Sequence, residues 1–257
     1  MILTFLGSGS AFCMDNFQSN ALIQTPSGKK MLFDCGGDIR WSLKEQGLSA
    51  LDIDAIYVSH LHADHIGGLE YMAFLNYFCK TVNTGFRPKL FANSMLIKDL
   101  WNQSLRGGLD SIQLKDATLE TFFDTVGVPN NASFEFDGCV FKPVQTIHVI
   151  ADATFVKSFG LKFKDPISGT SIFITSDTQF APTQLKDFIK GADVVFHDCE
   201  TSQHQSGVHA HYEDLKTLAP ELKKKIWLYH YNTLKDLPDA RADGFSGFVS
   251  KGQKFEF

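Results

Sequence analysis

Hydrophobic positions along the chain fall in short runs separated by polar and turn-forming residues. Runs rich in Val, Ile, Phe and Tyr predict strands at 2–6, 19–25, 29–34, 54–59, 88–92, 133–137, 139–147, 153–164, 171–176, 192–197, 225–230 and 253–257. Between them, stretches with helical patterning predict helices at 38–47, 67–79, 94–101, 182–190 and 211–219. No Pro- or Ser-rich linker, repeat or low-complexity tract interrupts the alternation. The expectation is one mixed α/β domain over residues 1–257, in which 69–135 is the variable part.

Two stretches depart from ordinary patterning. "EYMAFLNYFCK" is apolar on nearly every helical face, through Tyr71, Met72, Phe74, Leu75, Tyr77 and Phe78. Such a helix has to be covered all round, by the core or by a second copy of the chain. "DTVGVPNN" (124–131), preceded by Phe122-Phe123, reads as a loop able to reach over an active site, its own or a partner's.

The chemistry concentrates after the apolar run Ala55-Ile56-Tyr57-Val58, in "SHLHADHIGG" (59–68). His60, His62, Asp64 and His65 crowd into six positions, an arrangement costly in a core unless a cation binds it. If 55–58 is a buried strand, the chain turns at Ser59. His60 and His62 can then share one ion, with Asp64 and His65 further round toward a second. Gly67-Gly68 lets the backbone fold tightly into the next helix. Two metals about 3.5–4 Å apart form a clamp for hydrolysis. A structural zinc site would want four closed ligands rich in cysteine, and no cysteine lies nearby. Imidazole and carboxylate donors without thiolate suit Zn²⁺, with Mn²⁺ or Fe²⁺ as alternatives.

Composition narrows the setting. The hydrophobic fraction is 44%, ample for a core, and no apolar run approaches the roughly 20 residues needed to span a bilayer. Met1 leads directly into a strand-like run with no basic leader. The five cysteines (13, 35, 79, 139, 199) are odd in number and never paired as CxxC, which points to reduced thiols in a cytoplasmic compartment. Cys35 and Cys199 abut strand ends and read as packing residues. Net charge is −5, and the basic residues form no patch beyond Lys223-Lys224-Lys225. An extended nucleic acid is a poor match for that surface.

"HLHADH" resembles the signature of the metallo-β-lactamase-fold hydrolases. "MILTFLGSGSAF" and "MLFDCGGD" (31–38) resemble the opening strands and turns of the branch that contains RNase Z and its phosphodiesterase relatives. "VQTIHVI", "FITSDTQ" and "IWLYHYN" bring His148, Asp177 and His230 to the ends of apolar runs, where that fold places its remaining ligands. The resemblance implies a four-layer αββα sandwich. It implies His60, His62 and His148 on one metal, Asp64, His65 and His230 on the other, and Asp177 bridging both. Asp64 would also orient the attacking water.

The same resemblance gives a catalytic acid. His209, in "SGVHAHYEDLKTL", matches a histidine that approaches the scissile phosphate in this branch, with Asp198 as its orienting carboxylate. His211 is a secondary candidate, and His204 is expected at the surface. RNase Z usually reads His-Glu-Ala-Thr where this chain has His197-Asp198-Cys199-Glu200. His148 and Asp177 stand only 29 positions apart, filled by a hairpin-like stretch with no room for a tRNA-gripping arm.

"FLGSGSAF", "SHLHADHIGGLE" and "GFSGFVSKGQKFEF" are most similar to the phage anti-Pycsar phosphodiesterases and their bacterial homologues. That kinship implies opening of a 3′,5′-cyclic mononucleotide to a nucleoside monophosphate, a symmetric homodimer, and a role in defeating cyclic-nucleotide immune signalling. An aromatic from the 122–131 region could then stack on the nucleobase. The alternatives are an RNase Z-type tRNA 3′-end endonuclease and a non-catalytic nucleotide-binding member of the fold. Lactamase or glyoxalase activity also stays open, since a fold does not fix a substrate.

Overall fold

Runs that are apolar at every position become parallel strands buried on both faces, and alternating runs become antiparallel strands with one face in water. The computed structural model describes residues 1–152, 154–235 and 237–257. In chain order its strands are β1 (Ile2–Phe5), β2 (Ala21–Gln24), β3 (Lys30–Phe33), β4 (Ala55–Val58), β5 (Lys89–Asn93), β6 (Ser111–Ile112), β7 (Lys115–Asp116), β8 (Asp124–Val128), β9 (Phe134–Phe136), β10 (Cys139–Ile150), β11 (Phe155–Lys164), β12 (Ser171–Ile174), β13 (Val194–Asp198), β14 (Ile226–Tyr229), β15 (Gly247–Phe248) and β16 (Lys254–Glu256). One sheet of seven runs β16-β1-β2-β3-β4-β5-β8, and a second of seven runs β15-β14-β13-β12-β11-β10-β9. In each, an antiparallel half gives way to a parallel half: β3, β4, β5 and β8 in the first, β12 to β15 in the second.

β4 and β12 are buried at all four positions, as their "AIYV" and "SIFI" require. β10 alternates instead, burying Phe141, Thr146 and His148 while Val140, Lys142 and Gln145 face solvent. The inner faces meet in an aromatic core. Phe134 stacks on Phe91 (4.2 Å between ring centres), Phe141 (5.3 Å) and Tyr57 (5.7 Å). The Tyr57 hydroxyl donates across the layers to the Phe159 carbonyl (2.9 Å), tying β4 to β11. Helices Ile39–Glu45 and Leu69–Asn76 add Ile39, Leu43, Leu69 and Met72 to this core. Under the second sheet, helices Pro182–Lys190, Tyr212–Leu215 and Pro220–Lys223 close a smaller core around Leu185, Ile189, Leu215 and Ile226. Sheets flanked by helices are the layering the sequence resemblance implies.

Several boundaries differ from the sequence reading. The strand expected at 153–164 is observed as Phe155–Lys164; its first residue, Ala153, lies outside the described residues. The segment 124–131, expected as a loop over the site, contributes β8 as an edge strand parallel to β5. Gly127 and Pro129-Asn130 imitate turn signals, but 124–128 pairs along one side with β5. Phe122 and Phe123 are fully buried, so no aromatic from there reaches a substrate. The helix predicted at 67–79 is apolar all round because its faces meet different surroundings. Leu69, Met72 and Ala73 are buried, Tyr71, Phe74, Leu75 and Tyr77 pack partly against the core, and Phe78 is 57% exposed. It continues through a π-helical turn, Tyr77–Thr81, and stops at Gly85, whose φ of 73° ends helical pairing.

Candidate metal centre

Three strand-end turns and a bulge within β10 converge between the two sheets. After β4, Ser59 leads into His60 and His62. A single helical turn, Ala63–Ile66, follows with His62 as its N-cap, which sets Asp64 and His65 side by side. His148 sits where the β10–β11 register shifts between Ile147 and Val149, a bulge that re-aims a side chain. Asp177 follows β12 through Ser176, and His230 follows β14 directly. Asp34, Ser176 and His230 all have φ between 55° and 66°, a left-handed conformation unusual for non-glycine residues. Its recurrence at three strand ends beside one cluster is the concentration of backbone strain expected at a functional site.

The donors form two groups sharing Asp177. In the first, His62 Nδ1 lies 3.1 Å from His60 Nε2 and 3.0 Å from His148 Nε2. Asp177 Oδ2 lies 3.7 Å from the His60 and 3.6 Å from the His148 nitrogen. In the second, His65 Nε2 is 3.2 Å from Asp64 Oδ2 and 3.3 Å from Asp177 Oδ1. His230 Nε2 stands 3.4 and 3.5 Å from the same two oxygens. Ligands of a tetrahedral ion with bonds of 2.0–2.1 Å lie about 3.3–3.4 Å apart. Both groups match that spacing. His65 Nε2 and Asp177 Oδ1 are buried without a hydrogen-bond partner among the described residues, a cost that a cation would remove.

A second ring of groups fixes each imidazole. His65 Nδ1 donates to Asp34 Oδ2 (2.7 Å), so its Nε2 lone pair faces the cluster. Asp34 also accepts from the Ser59 amide (2.8 Å) and hydroxyl (2.7 Å), and Ser59 Oγ in turn receives His60 Nδ1 (3.0 Å). His148 Nδ1 donates to the Val208 carbonyl (2.9 Å). Gly36 lies so close that an added Cβ would fall 2.1 Å from the Asp64 carbonyl oxygen.

The electrostatics agree with a cation-binding role. Burial pushes the Asp177 carboxyl up, yet His230 and His65 hold it well below the usual carboxylate range. Burial likewise opposes ionisation of Asp64, and His65 and His230 outweigh it. Burial disfavours charge on His65 and His230, but Asp177 and its neighbours raise both well above the ordinary imidazole value. Carboxylates that draw protons onto adjacent imidazoles are calling for positive charge, which a divalent ion supplies in the protons' place. His60, His62 and His148 are lowered, mainly by burial, toward the neutral form a metal ligand needs.

All seven candidate ligands therefore meet in one cluster. His209 joins its edge, its ring 4.7 Å from His230 and 5.0 Å from His148. Asp198 accepts from His209 Nδ1 (2.8 Å) and from the Thr178 amide (2.8 Å), and its other oxygen faces His230 Nδ1 at 3.4 Å. Burial opposes charge on His209, but Asp198 raises its pKa. His211 has a different occupation. It caps helix Tyr212–Leu215, accepting at Nδ1 from the Glu213 amide, and Nε2 donates to the Ser202 carbonyl (3.0 Å). With both nitrogens engaged it has none left for the cluster. His204 is exposed, and Cys35 and Cys199 are fully buried packing residues. Sequence reading passed over Asp34, Ser59 and the Val208 carbonyl; the only signal was an acidic residue at a strand end inside "MLFDCGGD".

Residues 1–255 match the sequence family described as anti-Pycsar protein Apyc1. The chain belongs to this family. It is 33% identical over 258 residues to anti-Pycsar protein Apyc1 of Paenibacillus harenae, covering all of both chains. To anti-Pycsar protein Apyc1 of Bacillus phage vB_BveM-Goe7 it is 32% identical, over 99% of this chain and 94% of the relative. The metallo-β-lactamase fold protein YhfI of Bacillus subtilis superposes with a TM-score of 0.73 at 17% identity, over 99% of this chain and 98% of that one. This Apyc1-family chain thus has the metallo-β-lactamase fold. Among the described residues, no helix is long and apolar enough to cross a membrane.

Proposed function

We propose that the chain is a dinuclear metal-dependent phosphodiesterase that opens a 3′,5′-cyclic mononucleotide to a nucleoside monophosphate. The observation that carries this reading is the pair of donor groups sharing Asp177, with an Asp198-braced histidine at their edge. Two divalent cations held there, Zn²⁺ foremost with Mn²⁺ or Fe²⁺ as alternatives, would supply a water of pKa near 7 and positive charge for the phosphoryl oxygens. Asp64 would help hold one of them and orient the attacking water. Asp198 accepts from Nδ1–H of His209 and favours the doubly protonated ring, whose Nε2–H would pass its proton to the departing ribose oxygen as the P–O bond breaks, leaving a neutral imidazole. The buried carboxylate stabilises that charged ring before the transfer.

A cyclic mononucleotide is favoured by the family's name and by the chain's shape. Among the described residues between His148 and Asp177, the β10–β11 hairpin and β12 belong to the second sheet and none projects as an arm for tRNA. Action on a cyclic-nucleotide immune signal follows from the same reading. A cytoplasmic setting is supported by five unpaired cysteines. A homodimer belongs to it as well. Trp41, Phe78 and Val82 stand more than half exposed, and Phe78 lines a cavity together with Arg40, Tyr71 and Phe74. Sedimentation at micromolar concentration would read the assembly.

The decisive test is hydrolysis, by the metal-loaded protein, of a chromogenic phosphodiester and a panel of cyclic mononucleotides beside a tRNA precursor. Cyclic nucleotides should be opened, and Asp64→Ala and Asp177→Ala should abolish turnover. Trimming of the precursor with no cyclic nucleotide opened overturns the reading.

A further inference from the structure

His148 and His209 are both set by one short stretch of chain. Residues 201–210 form a compact loop whose ends meet: the Glu200 amide donates to the Ala210 carbonyl and the Tyr212 amide to the Glu200 carbonyl, each at 2.9 Å. The tip of the loop is exposed, and its return limb carries Val208 and His209 to the donor cluster. The Val208 carbonyl accepts from His148 Nδ1 (2.9 Å), and His209 Nδ1 donates to Asp198 (2.8 Å). A shift of this limb would displace a candidate ligand and the candidate acid together.

Glu200 holds the limb in place. It is buried, and a carboxylate is costly there unless donors surround it. Among the described residues, those donors all come from the loop. Oε1 accepts from the Ser202 hydroxyl (2.8 Å), and Oε2 accepts from the Ser206 amide (2.9 Å) and hydroxyl (3.0 Å). Ser206 Oγ in turn accepts from the Val208 amide (3.3 Å). Hydrogen bonds thus run unbroken from Glu200 through Ser206 and Val208 to His148. Between Ser206 and Val208, Gly207 takes a φ of 76°, a conformation that a residue with a side chain holds only under strain. The outgoing limb is fastened separately, beyond the end of β14. There the Thr201 amide donates to Asn232 Oδ1 (3.1 Å) and the Asn232 amide to Thr201 Oγ1 (3.3 Å). With the outgoing limb and the loop's ends fixed by other groups, the Glu200 carboxylate governs the return limb.

We propose that Glu200 is a positioning residue for the proton transfer: by gripping Ser206 it keeps His209 on Asp198 and the Val208 carbonyl on His148. The proposal rests on the reading of His209 as the acid and adds the side chain that sets it. Glu200 acts through the loop and not on the reacting atoms. Its loss is therefore felt most where the leaving oxygen needs a proton. A ribose alkoxide takes one as the P–O bond breaks, whereas a nitrophenolate departs as a stable anion.

The experiment measures kcat at saturating Zn²⁺ for a 3′,5′-cyclic mononucleotide and for a nitrophenyl phosphodiester, and zinc affinity by competition with a chelating dye. Glu200→Ala should lower kcat on the cyclic nucleotide by about 100-fold, the low end of what a placed acid contributes, and on the nitrophenyl ester far less. Zinc affinity should fall about tenfold, through His148. Glu200→Gln keeps an oxygen for Ser206 and should restore most of both. Ser206→Ala cuts the same chain of hydrogen bonds at an exposed position, where folding is not at stake, and should show the same pattern more weakly. General damage lowers the two substrates equally. An equal loss on both substrates in Glu200→Ala and in Ser206→Ala, no loss in either, or a zinc affinity that stays native in both, overturns the proposal while the cyclic-nucleotide reading stands. A native protein that hydrolyses the nitrophenyl ester and opens no cyclic nucleotide overturns that reading and the proposal with it.

Discussion

Asp34 shows how much a ligand cluster depends on a residue that touches no ligand site of its own. Its carboxylate takes three hydrogen bonds, from His65 Nδ1 and from the amide and hydroxyl of Ser59, and through Ser59 it also reaches His60. Asp34→Ala leaves the His65 donor buried and unpaired and frees the ring to rotate. Metal affinity, read by competition with a chelating dye, should fall about 10–100-fold with the fold intact by circular dichroism. An unaltered affinity would mean that packing alone orients His65. The seven candidate ligands were legible in the sequence because six of them follow apolar runs whose strand ends fix their place, while His148 sits at the bulge inside β10. Asp34 was not, since its partner His65 lies 31 residues away and nothing local announces the contact. His209 was preferred to His211 on the family resemblance alone, for a related reason. Both precede one short helix, and only the loop held by Glu200, whose carboxylate takes Ser202, Ser206 and the Ser206 amide, decides which ring turns inward.

At the scale of elements, periodicity located most strands and could not say how they pair. The parallel strands β4, β5, β12, β13 and β14 were found from their apolar runs. β8 was missed because an edge strand containing glycine and followed by Pro-Asn has the composition of a turn, and its pairing with β5 is a tertiary fact. The contact between the sheets was equally invisible: Tyr57 reads as one more aromatic in "AIYV", yet its hydroxyl reaches 102 residues along the chain to Phe159. Tyr57→Phe keeps the stacked ring and removes only that hydroxyl. Stability should drop by about 1–2 kcal/mol, because the bond is lost between fully buried groups. In a chain of this size that corresponds to a melting midpoint lower by roughly 2–8 °C. A midpoint unchanged in the metal-loaded protein would show that the hydroxyl adds nothing to the sheet–sheet contact.

For the whole molecule, the cluster is a joint as much as a reaction centre. His60, His62, Asp64 and His65 come from the end of β4 in one sheet, while His148, Asp177 and His230 hang from β10, β12 and β14 in the other. A cation shared between these groups would tie the two sheets at this point. Without it, Asp64 and Asp177 are buried carboxylates whose charge is balanced only by protons on His65 and His230. Binding to the folded state alone stabilises by mass action, about 2.7 kcal/mol at a free metal concentration one hundred times the dissociation constant. Stripping the protein with a chelator should therefore lower the melting midpoint by roughly 5–10 °C. Added Zn²⁺ should restore it with a saturating dependence on concentration. Asp177→Ala, which removes a donor from both groups, should melt near the stripped protein and respond little to zinc. If chelation leaves the native midpoint where it was while turnover is lost, the ions act only in the chemistry and the sheets are held by their aromatic core alone.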